Sequence, residues 1–202
     1  MKKIVLSVLM IAGIAVAANA QKGSILVYGN TTLGSQGKTT VDGNEVHGSS
    51  TNFSLSPGVG YQFNDKWTVG VELGMGVATK SNPSYQAGAF LRYTQQINGT
   101  FSIYEQLGVG YLYKGEANGF SPFGGLSGND IATQGNKGIY AVVSLPSVFI
   151  NVKNGFGVNL GFGNVGFTSL KSDGQSSTSK FSFNFGNGVS IGISKNFGGN
   201  HK

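Results

Sequence analysis

Apolar and polar residues alternate with a period of two near the end of the chain. From Phe181 to Phe197, every odd position except Asn187 and Lys195 is apolar, and every even position is small or polar. Successive side chains of a strand point to opposite faces, so this pattern predicts one long β-strand. One face of that strand is apolar and the other is polar.

Seven further segments show the same alternation, and turns rich in Gly, Ser, Asn and Lys separate them. Short turns alternate along the chain with longer links, as is typical of outer-membrane barrels. An even strand count places both termini on the short-turn, periplasmic side. The eight predicted strands span 23–34, 50–63, 67–78, 85–96, 101–113, 138–152, 156–169 and 181–197, and the four long links span 35–49, 79–84, 114–137 and 170–180.

Alternation alone fits two opposite barrels, because a soluble lipocalin-type barrel turns its apolar face inward and a membrane barrel turns it outward. The polar face here consists mainly of Gly, Ser and Ala, which would leave a soluble barrel with an almost uncharged surface. Aromatic residues cluster at strand ends, where an interfacial girdle belongs. We therefore predict an all-β fold, an eight-stranded antiparallel up-and-down transmembrane β-barrel. Its interfacial aromatic residues are Tyr61, Phe63, Trp67, Tyr93, Phe101 and Phe197.

Two positions depart from the alternation. After Gly163 the parity of the seventh strand changes, so that Asn164 would face lipid unless a bulge restores the pattern. Glu105 shares the parity of Leu107 and Val109 and is therefore expected on the lipid face.

The beginning of the chain predicts a cleavable signal peptide. Lys2 and Lys3 form a positive region, an apolar run follows, and a small-x-small cleavage site ends at Ala20. The apolar run is shorter than the roughly 20 residues that a membrane-spanning helix needs. The predicted division is a signal peptide at 1–20 and a barrel domain at 21–202, with cleavage between Ala20 and Gln21.

Composition supports an exported membrane protein. Charged residues make up 11% of the chain, compared with about 25% in soluble domains. The chain has no cysteine, so neither a disulfide framework nor a thiolate metal site is available. The formal charge is +6, but the basic residues are mostly scattered lysines, so we expect no nucleic-acid partner. Nothing in the sequence predicts a cofactor.

Five segments carry a resemblance to a known family: Gln21–Ser24, Phe53–Tyr61, Trp67–Val71, Gly88–Tyr93 and Gly188–Phe197. They resemble the small bacterial outer-membrane β-barrel domain proteins (the OmpA/OmpX-type eight-stranded barrels). The resemblance implies a barrel in the outer membrane of a Gram-negative bacterium and no defined biochemical activity. Phe197 resembles the C-terminal aromatic signal read by the barrel-insertion machinery, although Gly198–Lys202 follow it here.

Two charged residues are expected inside the barrel. Glu72 and Arg92 have inward parity on the third and fourth strands, and Arg92 is the only arginine of the chain. A link centred near residue 82 gives opposed residues an index sum of 164, which is the sum of 72 and 92. We therefore predict a luminal ion pair, acting as a brace or, alternatively, as a gate. Further polar residues expected in the lumen are Gln86, Thr94, Tyr104, Gln106, Asn159 and Asn184.

His47 is the main candidate for catalysis. It lies in the first long link near Asp42, Glu45 and two serines, residue types that suit acyl transfer. Acyl transfer also needs fixed geometry and shielding from water, which a Gly/Ser-rich loop does not provide. We therefore predict a solvated loop histidine and no catalytic site.

The third long link is the main candidate for recognition. It carries Phe120, Phe123 and Leu126 among glycines. Apolar residues in a long loop often mark a contact surface, and a lid over the barrel mouth is the alternative.

The function predicted from the sequence is that of a non-enzymatic outer-membrane barrel with a structural role and a surface-recognition role through four external loops. The alternative is a narrow pore or carrier for small molecules. A lipid-modifying enzyme is disfavoured, because the sequence offers no rigidly placed histidine with a serine and an acid. The expected partners are outer-membrane lipid, the barrel-insertion machinery and a surface ligand of the long loops.

Overall fold

The structure, a computed structural model, describes residues 23–36, 39–41, 44–47, 50–78, 83–113, 137–171 and 176–198. Every regular element in these ranges is a β-strand, and none of the described segments is a helix long and apolar enough to cross a membrane. The strands are β1 Ile25–Gln36, β2 Thr39–Val41, β3 Asn44–His47, β4 Ser50–Gln62, β5 Trp67–Ala78, β6 Ser84–Gln96, β7 Phe101–Tyr113, β8 Lys137–Ser144, β9 Ser147–Lys153, β10 Phe156–Lys171 and β11 Thr178–Phe197.

The strands close into a ring. Antiparallel pairing runs from β1 through β4, β5, β6, β7, β8, β10 and β11 and back to β1, which makes eight strands around the barrel. β9 pairs with both β7 and β10, so β8 and β9 together form one wall strand. This confirms the predicted all-β, eight-stranded antiparallel fold. β2 and β3 form a separate hairpin inside the first long link.

The register of the ladder defines the geometry of the cylinder. Following paired residues around the wall from Ile103 on β7, through β9, β10, β11, β1, β4, β5 and β6, leads back to β7 at Tyr113. The start and the end of this path are ten residues apart, which is the shear of the barrel. Eight strands with a shear of ten tilt by about 40° from the barrel axis, and the interior of such a barrel is just wide enough to be filled by side chains.

Local chemistry sets the tight turns. Asn64 Oδ1 accepts from the backbone N–H groups of Lys66 and Trp67, both at 2.9 Å, and Asn98 begins the next tight turn in the same way. These are Asx-type turns, which the asparagine side chain stabilises. The third turn has Asn154 at φ 50° and Gly155 at φ 74°, the left-handed conformation that an Asn-Gly hairpin turn requires.

The sixth predicted strand, 138–152, is not continuous. It is broken between Ser144 and Ser147, because Pro146 has no N–H to give to a ladder. Two contacts bridge the break: Gln106 N–H donates to Ser144 Oγ at 2.7 Å, and Leu145 N–H donates to the Gly163 carbonyl at 3.0 Å.

The irregularity predicted in the seventh strand is present beside this break. The pairing of β10 with β11 shifts between Gly161 and Gly163. The shift restores the polarity of the wall: Asn164 is buried and Phe167 is exposed. The ladder also extends beyond the predicted ends, so that both ends of the link expected at 170–180 belong to strands, to β10 up to Lys171 and to β11 from Thr178.

Candidate functional site: a luminal plug inside an apolar cylinder

The outer wall is apolar. Large hydrophobic side chains point outward on every wall strand, as on β5, where Trp67, Val69, Val71, Leu73, Met75 and Val77 are all exposed. From Trp67 to Val77 the strand rises about 33 Å, or about 25 Å along the barrel axis at a tilt of ~40°. That height matches the apolar band of an outer-membrane barrel.

Aromatic side chains mark the short-turn end of this band. The Trp67 and Tyr93 rings meet edge to face, with centroids 5.0 Å apart, and Lys66 Nζ lies 5.9 Å from the Tyr93 ring. At the end of the last strand, Lys195 Nζ lies 5.8 Å from the Phe197 ring and donates to the Asn154 carbonyl at 2.6 Å. The structure places the predicted girdle residues here, and all except the half-buried Tyr93 are exposed: Tyr61, Phe63, Trp67, Tyr93, Phe101 and Phe197.

A second aromatic group lies at the loop end of the band, and the sequence analysis did not single it out. Tyr85 pairs with Tyr113 across β6 and β7, and Phe167 pairs with Phe181 across β10 and β11. Alternation predicted an outward Phe181, whereas Phe167 was expected in the lumen unless a bulge restored the parity. The common height of these residues depends on the register between strands. The outward-facing members are Phe53, Tyr85, Tyr111, Tyr113, Phe167 and Phe181.

Glu105 lies on the outer face, as its parity indicated. It is exposed and stands opposite Tyr93 in the ladder, only four residues from the start of β7. This position is close to the short-turn girdle, where a charged head group can reach the interface.

Glu72 is the centre of the interior. Its side chain is 2% exposed. Tyr28 donates its hydroxyl hydrogen to Glu72 Oε2 at 2.8 Å, Gln106 Nε2 donates to the same oxygen at 3.1 Å, and the Tyr140 hydroxyl donates to Oε1 at 3.2 Å. Four strands, β1, β5, β7 and β8, therefore meet on one carboxyl group.

Arg92 is held on the other side of Gln106. Its Nε donates to Gln106 Oε1 at 2.8 Å, while its guanidinium carbon lies 4.4 Å from the Tyr104 ring centroid and 4.6 Å from that of Tyr28. A guanidinium at these distances from two ring faces is stabilised by cation–π attraction. Phe90 packs edge to face on Tyr28, with centroids 5.5 Å apart.

These contacts correct the predicted ion pair. The index sum of 164 is wrong, because β5 and β6 pair with a sum of 160: Glu72 faces Gly88, and Arg92 faces Thr68. Within the described part of the chain, Glu72 and Arg92 make no direct ion pair, and the Gln106 amide bridges them instead. The error arose because the predicted register used the midpoint of the link, whereas the last residues of β5 have no partner on β6.

We call the group Tyr28, Glu72, Phe90, Arg92, Tyr104, Gln106 and Tyr140 the luminal plug. Glycines make room for it: an added Cβ on Gly58 would collide with the Tyr28 ring, and one on Gly88 would collide with the Tyr140 hydroxyl. A second buried group, formed by Leu112, Tyr140, Val142 and Leu170, fills the lumen towards the loop end.

The other predicted luminal residues lie around the plug. Gln86 and Asn159 are buried, and Asn159 Oδ1 accepts from Ser194 Oγ at 3.3 Å. Thr94 is half-buried near the short-turn end. Asn184 pairs with Asn164 in the ladder, but its side chain is outside the described part of the structure.

Sequence reasoning missed Tyr28 and Tyr140 as members of the plug. Both have inward parity on their strands, and this was the only signal that could have found them. Neither side chain is near Glu72 in sequence, since 44 residues separate Tyr28 from Glu72 and 68 separate Tyr140 from it.

Several predicted residues lie outside the described ranges: Ala20, Gln21, Phe120, Phe123 and Leu126. His47 is the last residue of β3, and its side chain lies outside the described part of the structure. Among the described residues, no group of three or more His, Cys, Asp or Glu side chains could hold a metal ion.

No protein-family model and no curated protein sequence matches the chain. Among solved structures, the crystal structure of Neisserial surface protein A (NspA) is similar, with 15% identity and a TM-score of 0.49, over 88% of this chain and 98% of that chain. The outer membrane protein Ail of Yersinia pestis in a phospholipid nanodisc gives 16% identity and a TM-score of 0.36, over 87% and 99%. The crystal structure of Ail with the heparin analogue sucrose octasulfate gives 15% and 0.33, over 87% and 98%.

Proposed function

We propose that this protein is a non-enzymatic outer-membrane barrel that spans the bilayer with its apolar wall and presents its long loops for recognition at the cell surface. In this proposal residues 1–20 direct export and are removed. The last strand, ending with Phe197, is the segment that the barrel-insertion machinery reads.

The inverted polarity of the cylinder carries this proposal. Leu73 is 50% exposed on the outer wall, while the neighbouring Glu72 is 2% exposed inside. A soluble barrel would bury the first residue and expose the second, because apolar surface in water is costly. A closed ladder in hydrocarbon accepts this arrangement, since the backbone is paired around the ring.

The luminal plug supports a structural role over the alternative of a pore. Glu72, Arg92 and Gln106 are each at most 4% exposed. They lie on the neighbouring strands β5, β6 and β7, and Gln106 reaches across the lumen to the Tyr28 hydroxyl on β1, at 3.1 Å. An interior of this width, filled by side chains, leaves no aqueous channel. In planar bilayers we therefore expect no discrete conductance steps, and reproducible steps would favour the pore.

The experiment that tests the proposal compares the mature polypeptide in detergent or lipid with the same polypeptide in plain buffer. We expect heat-modifiable gel migration after folding into micelles or vesicles, and labelling of the long loops from outside intact cells. A polypeptide that stays folded and dispersed in buffer without detergent would contradict the membrane assignment. Labelling of the short turns from outside would contradict the orientation.

A further inference from the structure

The Arg92 side chain belongs to one layer of inward residues that crosses all eight wall strands. With a shear of ten over eight strands, residues at equal height are offset from the paired position by about 1.25 residues at each step to the next strand. Applied to the observed pairings, this offset leads from Arg92 around the ring and back to Arg92. Six described side chains lie within about one residue of this path: Tyr28, Arg92, Tyr104, Ser147, Asn159 and Ser194.

Arg92 carries more hydrogen-bond donors than its neighbours accept. A guanidinium group has five N–H donors, and within the described part of the chain only Nε has an acceptor, Gln106 Oε1. The rings of Tyr28, Phe90 and Tyr104 lie 4.4–5.8 Å from the guanidinium carbon. They attract its charge through their π-electrons and not through an oxygen atom. The N–H donors on the two Nη atoms are therefore left for another acceptor.

Asn159 adds a second unused donor to the layer. Its side chain is 2% exposed, and its Nδ2 has no hydrogen-bond partner among the described residues. The neighbouring hydroxyl hydrogens are already used, since Ser194 Oγ donates to Asn159 Oδ1 at 3.3 Å and Ser147 Oγ donates to the Leu145 carbonyl at 3.0 Å. Buried polar groups are nearly always paired in native proteins, so this layer needs a further acceptor.

The guanidinium group of Arg92 lies near the middle of the lumen. Its carbon is 4.4 Å from the ring centroid of Tyr104, on the adjacent strand β7, and 4.6 Å from that of Tyr28, on β1. Since β1 is three strands away from β6 around the ring, the side chain has crossed towards the barrel axis.

The free side of the guanidinium group faces Asn159. Phe90 fills the layer beside β4 and β5, because an added Cβ on Gly60 or Gly70 would collide with its ring. The wall that remains is formed by β9, β10 and β11, and Asn159 lies on β10 in the middle of it. The two sets of unused donors are therefore directed into the same part of the lumen.

The charge of Arg92 favours an anion as the acceptor. Arg92 is 4% exposed, and a buried charge is normally paired. Glu72 does not fill this role, because the Gln106 amide lies between the two groups and both Glu72 oxygens accept from tyrosine hydroxyls. No other inward residue on the described strands is acidic.

We propose that the lumen binds one small inorganic anion, such as chloride, between the Nη groups of Arg92 and the Nδ2 group of Asn159. Side chains fill an interior of this width, so a larger anion does not fit. The anion enters from the short-turn end, where Thr94 and Ser102 are half-buried and neutral. Towards the loop end, the buried group around Leu112 fills the lumen.

A chloride titration of the folded wild-type protein in micelles tests the site. Sodium chloride replaces sodium gluconate at constant ionic strength, since gluconate is too large for this lumen. We expect the urea midpoint to rise with chloride and then to level off, because a ligand of the folded state stabilises it by mass action. The NMR resonance of chloride should broaden with the same half-saturation concentration. Equal urea midpoints in the two salts, or broadening that does not saturate, overturn the proposal and leave water as the acceptor.

Two variants locate the anion. Arg92→Gln removes the charge and should abolish the saturable response to chloride. Asn159→Ala removes the Nδ2 donors, and the chloride concentration at half-saturation should rise about tenfold, the effect of one hydrogen bond to a charged group. Heat-modifiable migration shows whether each variant folds, and Asn159→Ala decides alone if Arg92→Gln does not. A folded variant of either kind that responds to chloride as the wild type does overturns the proposal.

The matched control is Lys66→Gln. It removes one positive charge, as Arg92→Gln does, but from an exposed residue at the short-turn end. We expect the saturable response to chloride to be the same as in the wild type. Loss of the response in this variant would show that chloride acts on surface charge, which contradicts a luminal site.

Discussion

Gln106 Nε2 lies 3.1 Å from Glu72 Oε2, although 34 residues separate them in the chain. The other end of the same amide accepts from Arg92 Nε at 2.8 Å. A neutral side chain thus stands between the carboxyl group and the guanidinium, and each group keeps a hydrogen bond that burial would otherwise remove. Several consequences of this bridge can be measured.

Replacing Gln106 with leucine should destabilise the barrel. The change leaves the Glu72 and Arg92 groups each without one buried hydrogen bond, a loss of about 1–3 kcal/mol in the free energy of unfolding for each orphaned group. Urea unfolding in micelles or vesicles measures it. The control is Gln95→Leu, at an exposed position near the strand end, where we expect a change within about 0.5 kcal/mol. Equal effects from the two variants would contradict the bridge.

The Glu72 and Arg92 side chains should be energetically coupled through Gln106. We expect Glu72→Gln and Arg92→Gln each to destabilise the barrel, and the double variant to lose less than the sum of the two. Residues in one hydrogen-bond network show interaction energies of about 0.5–3 kcal/mol. A double-mutant cycle of urea midpoints measures the coupling. Strictly additive losses of stability would show that the two side chains are not coupled.

The two tyrosine hydroxyls on Glu72 should differ in their contributions. Tyr28 donates over 2.8 Å and also accepts from Gln106 Nε2, whereas Tyr140 donates over 3.2 Å. We therefore expect Tyr28→Phe to lower the free energy of unfolding by about 1–2 kcal/mol and Tyr140→Phe by less. Tyr111 is 50% exposed on the outer wall, so Tyr111→Phe is the control and should be nearly neutral. The opposite order for Tyr28 and Tyr140 would argue against the network described here.

The glycines beside the plug should not tolerate a methyl group. In Gly58→Ala the new Cβ would overlap the Tyr28 ring, and overpacking of this kind costs about 1–3 kcal/mol. Gly29→Ala is the matched control on the neighbouring strand, because its Cβ would meet no atom within 4 Å. Equal urea midpoints for both variants would show that the lumen near Tyr28 is loosely packed.

Deletion of residues 118–134 should separate recognition from folding. The deletion removes the Phe120, Phe123 and Leu126 cluster while leaving β7 and β8 intact. We expect heat-modifiable migration to be unchanged and binding of expressing cells to a partner surface to be lost. A deletion of the same type in the second long link, residues 79–82, is the control. Unchanged binding after the first deletion would exclude this loop as the recognition surface.

The tight turns, and the face to which each strand residue points, could be predicted from the sequence because both depend on residues close together in the chain. The asparagine side chains at 64 and 98 cap their own turns, and alternation alone sorts residues such as Leu73 and Glu72 onto opposite faces. The predicted pairing of Glu72 with Arg92 failed for a different reason: register depends on where a ladder begins, and this is not encoded in the period of either strand.

The sequence by itself therefore determined the number of wall strands, the apolar outer face and the inward placement of Glu72 and Arg92, since a period of two is a property of neighbouring residues. Only the tertiary structure decided the shear, the bridging role of Gln106 and the position of the Tyr28 and Tyr140 hydroxyl groups beside one carboxyl group. These features depend on how eight strands are offset around a closed ring, and a shift of one strand moves every contact across the lumen.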